Sequence, residues 1–197
     1  MSEAALLDEP PVTIGDFDAF LGGQADPRPW ELVAGRIVGM TNPNTVHEQI
    51  VSNIGLRLKQ AADKRGCQAF FGGMRIQRSE NQGAIDKPRP DLMVRCGALV
   101  RQNFVTDPLV IVEVLSPSTM DVDRGDKLRF YKRLPTLAHI AFAYQDQMRV
   151  EHYRKMNTGW EMETLIASHQ AVVFEAISCS INMEDAYFGA GLDDFRG

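Results

Sequence analysis

Arg89-Pro-Asp-Leu-Met-Val-Arg-Cys96, a polar loop, and then Leu109-Val-Ile-Val-Glu-Val-Leu115 decide how this chain is read. The second run is short, bounded and rich in β-branched residues, the pattern of a strand buried on both faces. Glu113 sits in its middle, where an unpaired charge is strongly disfavoured unless something compensates it. Alternation along a strand puts Glu113 on one face with Ile111 and Leu115. Asp91 follows Pro90 at the start of the neighbouring strand, where a strand end can splay. If the two strands pair, Asp91 and Glu113 converge at one end of the sheet. Two carboxylates there, with a nearby backbone carbonyl, are a hard oxygen site suited to Mg²⁺. Such an ion activates water and neutralises charge on a phosphate.

Working outward, Ser116-Pro-Ser-Thr119 leads into a charged amphipathic segment, 121–134, which Ser118 and Asp121 are placed to cap. Arg124, Lys127, Leu128, Tyr131 and Leu134 recur there at helical spacing, so Lys127 borders the apolar stripe and its tip can reach towards the carboxylates. Upstream, Thr13-Ile-Gly-Asp16 is a capping box for a short helix with Phe17, Phe20 and Leu21 on one side, stopped by Gly22-Gly23. Trp30 to Met40 reads as a hairpin around Ala34-Gly35, with Glu31 in its first strand. Thr45-Val-His-Glu48 is a second capping box, opening a helix of roughly five turns with His47, Ile50, Val51, Ile54 and Leu58 on one stripe. Cys67 to Gln77 is strand-like and 79–88 a polar loop. Downstream, Leu137 to Tyr144, Met148 to Arg154 and Trp160 to Ile166 are strands, the last two a hairpin. Ala171 to Ile177 is a further strand, and Ile181 to Phe188 a terminal helix.

These residues carry a resemblance. Pro90-Asp91 followed after about twenty residues by Glu113-Val-Leu115 resembles the PD-(D/E)XK motif of the restriction-endonuclease-like superfamily. Arg89-Pro-Asp-Leu92, Val112-Glu-Val-Leu-Ser-Pro-Ser-Thr119 and Asp126-Lys-Leu-Arg-Phe-Tyr131 resemble the Uma-two family of bacterial proteins, whose nuclease label rests on fold and motif. Trp30-Glu-Leu-Val-Ala-Gly35 and His47 fit the same pattern, and the similarity spans roughly residues 13–188. The resemblance implies an α/β, restriction-endonuclease-like core: a mixed central sheet flanked by helices, with added N-terminal and C-terminal hairpins. It also implies Asp91 and Glu113 as metal ligands, Mg²⁺ (or Mn²⁺) as cofactor, DNA as substrate and a homodimer. The lysine that the superfamily places two residues after the glutamate is Leu115 here. The family pattern supplies it from the next helix, as Lys127, whose ammonium is expected between Glu113 and Asp91 in an electrostatic role.

Each residue also has a plainer reading. His47 is either an active-site neighbour or a core histidine, and Glu31 either a third carboxylate or a surface charge. Arg75, Arg78, Arg89 and Arg95 are either a local phosphate-binding patch or ordinary salt-bridge partners, and the second is preferred in an acidic protein. His139, His152 and His169 enter no motif.

At 197 residues, 44% hydrophobic and 24% charged, the chain has ordinary globular composition. It is expected to form a loose arm (1–12), one domain (13–188) and a tail (189–197). No window approaches eighteen apolar residues, and the acidic N-terminus has no secretory pattern. Cys67, Cys96 and Cys179 lie far apart in sequence, which argues for a reducing cytoplasm and against a disulfide framework. The net charge of −5 gives no global footprint for nucleic acid, so any DNA contact is local. The leading reading is a Mg²⁺-dependent endonuclease. The alternative is a non-catalytic nucleic-acid-binding or assembly protein with a degenerate nuclease fold. A paired-carboxylate glycosidase finds little support at 8% aromatic residues.

Overall fold

A computed structural model describes residues 10–26, 28–40, 42–78, 81–116 and 123–192. Its centre is a six-stranded mixed sheet built from β3 (Cys67–Phe71), β5 (Leu92–Cys96), β7 (Pro108–Leu115), β8 (His139–Tyr144), β9 (Val150–Met156) and β10 (Gly159–Leu165). The spatial order is β10-β9-β8-β7-β5-β3, and every pairing is antiparallel except β7 with β8. The parallel pair requires a crossover, supplied by the segment that carries Lys127.

The alternation along β7 sorts the core into two layers. Val110, Val112 and Val114 face the long helix α2 (Thr45–Lys64), through Ile50, Ile54 and Leu58. Ile111 and Leu115 face the opposite side, with Phe130 and Tyr131 of the short helix α3 (Leu128–Lys132). Glu113 is on this second face, as the pleat dictates.

The N-terminal unit is α1 (Ile14–Gly23) and the hairpin β1 (Trp30–Val33)/β2 (Arg36–Gly39). Ala34 and Gly35 both have positive φ, 48° and 72°, the signature of a primed two-residue hairpin turn. A Cβ at Gly35 would also collide with the Pro11 side chain, so the position is closed to other residues on two counts. Leu32 and Lys87 form an isolated antiparallel bridge, which fastens this hairpin to the approach of β5.

Several element boundaries differ from the sequence expectations. The capping box at Thr13/Asp16 is present, but α2 is capped one residue earlier than expected, by Asn44, whose side chain accepts from the His47 N–H at 2.9 Å. The Cys67–Gln77 strand breaks at Gly72-Gly73 into β3 and a short β4 (Arg75–Ile76), which pairs in parallel with β6 (Phe104–Val105). The expected strand 171–177 ends at Phe174 as β11 (Ala171–Phe174), followed by one 3₁₀ turn (Glu175–Ile177). The expected C-terminal helix begins instead as β12 (Cys179–Asn182), pairs with β11, and becomes helical only over α4 (Met183–Ala186). Alternating burial in Cys-Ser-Ile-Asn182, with the first and third inward, favours the strand. The segment expected as one α-helix from 121 opens as a π-helical turn, Asp123–Lys127, before α3. The proposed caps Ser118 and Asp121 lie outside the described residues, as do residues 1–9 of the arm and 193–197 of the tail.

The cysteine reasoning is overturned. Cys67 and Cys96 form a disulfide, because antiparallel β3 and β5 place them directly opposite, with Cα atoms 4.2 Å apart. Distance along the chain carried no information about distance across the sheet. Cys179 is free and buried. Among the described residues, no helix is long and apolar enough to cross a membrane.

Candidate active site

The site forms where β5 and β7 splay. Their register pairs Leu92 with Val112, so Asp91 and Glu113 fall opposite each other one step further on. There the side chains replace ladder bonds. Asp91 Oδ2 accepts from the Val114 N–H at 2.7 Å, and Glu113 Oε2 accepts from the Asp91 N–H at 3.3 Å. Each carboxylate therefore fixes the backbone that carries the other.

Glu113 is buried, and its charge is met from the π-helical turn. Lys127 Nζ lies 2.8 Å from Glu113 Oε1 and 3.2 Å from Glu31 Oε2, with its own side chain only 2% exposed. The Tyr131 hydroxyl donates to Glu113 Oε1 at 2.5 Å. Burial, and then the adjacent Glu113 charge, raise the tyrosine pKa well above its usual value, so the phenol remains a donor. Buried charges persist when paired and hydrogen-bonded in this way.

Lys127 reaches the carboxylates, but its ammonium bridges Glu113 and Glu31 instead of the expected space between Glu113 and Asp91. Glu31 gets there because the Leu32–Lys87 bridge brings β1 alongside the Arg89 segment, where Glu31 Oε2 accepts the Arg89 N–H at 3.0 Å. The turn carrying Lys127 is held from both sides. Arg124 reaches buried Glu151 at 3.1 Å, and Asp126 receives Arg36 of β2 at 2.7 Å. A π-helical turn is uncommon and frequently found at functional sites.

His47, in the first turn of α2, points Nε2 at Asp91 Oδ2 across 3.3 Å. Burial alone would lower its pKa, but the Asp91 carboxylate, helped by Glu48, outweighs burial and raises it.

These side chains line one cavity of about 550 Å³, with Glu31, His47, Arg89, Asp91, Glu113 and Lys127 in its wall. The structure thus brings together all five residues singled out from sequence. One neighbour was missed. Tyr131 was read as part of an apolar stripe, although it lies four residues after Lys127 and so shares its helical face. Arg89 was weighed as part of a phosphate-binding patch or as a salt-bridge partner, the second being preferred. That reading holds for Arg95, which forks onto Asp107 at 2.8 Å, but among the described residues Arg89 makes no ion pair.

Comparison with known proteins follows the same line. Two uncharacterized proteins of Synechocystis sp. are each 28% identical: sll1609 over 149 residues (73% of this chain, 82% of that protein) and slr1290 over 164 residues (81% and 83%). A crystal structure described as a "putative nuclease belonging to DUF820", from Anabaena variabilis ATCC 29413, superposes with a TM-score of 0.69 at 19% identity. It covers 90% of this chain and 98% of its own. At that identity the likeness establishes the fold. The model of the Uma2 family, described as "Putative restriction endonuclease", matches residues 15–182, and the chain belongs to that nuclease-like family.

Proposed function

We propose that this cavity hydrolyses phosphodiester bonds in DNA with Mg²⁺ as cofactor, Mn²⁺ substituting for it. One observation carries the reading: Asp91 and Glu113 side by side at a splayed strand end, with the Lys127 ammonium 2.8 Å from Glu113, in an open cavity. The donor set fits a hard divalent cation. Asp91 Oδ1 accepts no hydrogen bond among the described residues, and Mg²⁺ is typically held by one or two carboxylates with waters and substrate phosphate completing its shell. Asp91 and Glu113 would hold the ion, which when bound supplies an activated water and charge neutralisation at the phosphate.

The chain's own residues do the remaining work. Tyr131 and the Asp91 N–H fix the Glu113 carboxylate, while His47 and the Val114 N–H fix Asp91. Lys127 sets a buried positive charge beside them, where developing phosphorane charge is stabilised by a preorganised donor.

The test is cleavage of plasmid, linear duplex, single-stranded DNA and RNA in Mn²⁺. Wild type is expected to cut DNA, and Glu113→Gln to lose at least ~10²-fold. A wild-type protein that cuts none of these substrates would favour the degenerate binding protein instead.

A further inference from the structure

Arg89 stands between Pro88 and Pro90, so its backbone has little freedom. The Ile76 N–H donates to the Pro88 carbonyl at 2.8 Å, and the Arg89 N–H is committed to Glu31. Its guanidinium is not committed at all: among the described residues it makes no hydrogen bond and no ion pair, and its Nε is shielded from solvent without an acceptor. Most other arginines have a carboxylate within reach, including Arg36, Arg57, Arg95, Arg124, Arg149 and Arg154. Arg75, the neighbouring half-buried cation, donates to the Trp30 carbonyl at 3.1 Å and lies over the Phe17 ring.

The charge inventory of the cavity sharpens the point. Glu31, Glu48, Asp91 and Glu113 line it against Lys127 and Arg89. Lys127 is engaged by Glu31 and Glu113. An incoming anion would meet net repulsion unless a cation without a carboxylate partner receives it. Burial lowers the Arg89 pKa, while Glu31 and then Asp91 act on it through space in the opposite direction. Among the described residues it is thus a half-buried charge without a carboxylate partner, held at a fixed place, a costly arrangement that an anionic ligand would relieve. A guanidinium fork matches two phosphate oxygens in geometry and charge.

We infer that Arg89 receives the substrate phosphate, its fork binding the non-bridging oxygens of a phosphodiester group presented to Asp91 and Glu113. This rests on the phosphodiesterase reading above. Because the contact is to phosphate and not to a base edge, it adds affinity without sequence preference.

The experiment uses the full chain and two fluorescein-labelled DNA duplexes of unrelated sequence. Anisotropy without divalent metal is measured over a salt series, alongside Mn²⁺-dependent cleavage of the same duplexes. Arg89→Gln is expected to weaken binding about ten- to hundredfold on both sequences and to reduce the salt slope by about one contact. Arg89→Lys restores part of the affinity. Exposed Arg101→Gln, outside the cavity, leaves it unchanged. A purely structural role would lower thermal stability without changing the salt slope. If wild type cleaves and Arg89→Gln binds with wild-type affinity and slope, the assignment is overturned while the phosphodiesterase reading stands. If wild type cleaves no DNA, both fall. Should Arg89→Gln fail to fold, Arg89→Lys decides: affinity equal to wild type overturns the fork contact.

Discussion

In the proposed mechanism Lys127 takes, from outside the strand, the place that the superfamily motif gives to the residue two after the glutamate. The residue two after Glu113 is Leu115, buried among Phe130, Leu134 and Phe142, where an ammonium would be strongly disfavoured. Lys127 approaches the same carboxylate from the crossover segment instead, at 2.8 Å. Replacing it with methionine keeps the stem and removes the charge. Cleavage by Lys127→Met is expected to fall ~10²–10³-fold, as for loss of one transition-state donor. Circular dichroism and thermal melting verify that the fold survives, and wild-type turnover by this variant would remove Lys127 from the mechanism.

Among elements, the coupling of β8, β9 and β10 to the C-terminal hairpin is the least expected. The Ala176 N–H donates to His139 Nε2 at 3.3 Å, which places the His139 proton on Nδ1. That proton points at His152 Nε2, 3.1 Å away, and the remaining His152 proton, on Nδ1, points at Glu163 at 3.1 Å. Both imidazoles are buried and neutral in this arrangement. Phe174 packs edge-on against both, while Glu163, Glu175 and Arg154 are the charged groups around them. Burial, reinforced by repulsion from His152 whenever that ring is protonated, lowers the His139 pKa from 6.5 to about 4; burial lowers His152 as well.

Between those values the unfolded chain binds protons that the folded chain does not, so stability falls as pH drops from about 6.5 towards 4. The slope approaches ~1.4 kcal/mol per pH unit for one proton. Urea midpoints measured across this window should show the decline, and His139→Gln should flatten it. An unchanged slope in that variant would place the acid sensitivity elsewhere.

For the whole molecule, the Cys67–Cys96 disulfide closes a loop of sequence separation 29 at the far end of β5 from Asp91. Loop-closure entropy puts its contribution at about 3.6 kcal/mol in the oxidised protein. Reduction, or a double serine replacement, is expected to lower the urea midpoint accordingly while leaving cleavage intact, since Cys96 lies at the opposite end of β5 from Asp91. Equal midpoints with and without reductant would contradict this.

What was legible in the sequence was local. The unbroken apolar run of β7, the proline before Asp91, the helical stripe of α2 and the amphipathic Lys127 segment each declare themselves within a few residues, because side-chain spacing follows backbone geometry. Those signals placed the buried strand, the face on which Glu113 lies and its meeting with Asp91; the mixed sheet and the parts of Lys127, Glu31 and His47 came with the resemblance to the family. The remainder depended on pairing between distant segments. The Leu32–Lys87 bridge alone brings Glu31 to Lys127, strand register alone sets Cys67 against Cys96, and the packing of α3 alone turns Tyr131 onto Glu113. Arg89 is the sharpest case. In the sequence it is one cation in an acidic chain, and only the folded cavity shows that, among the described residues, its guanidinium pairs with none of the carboxylates around it.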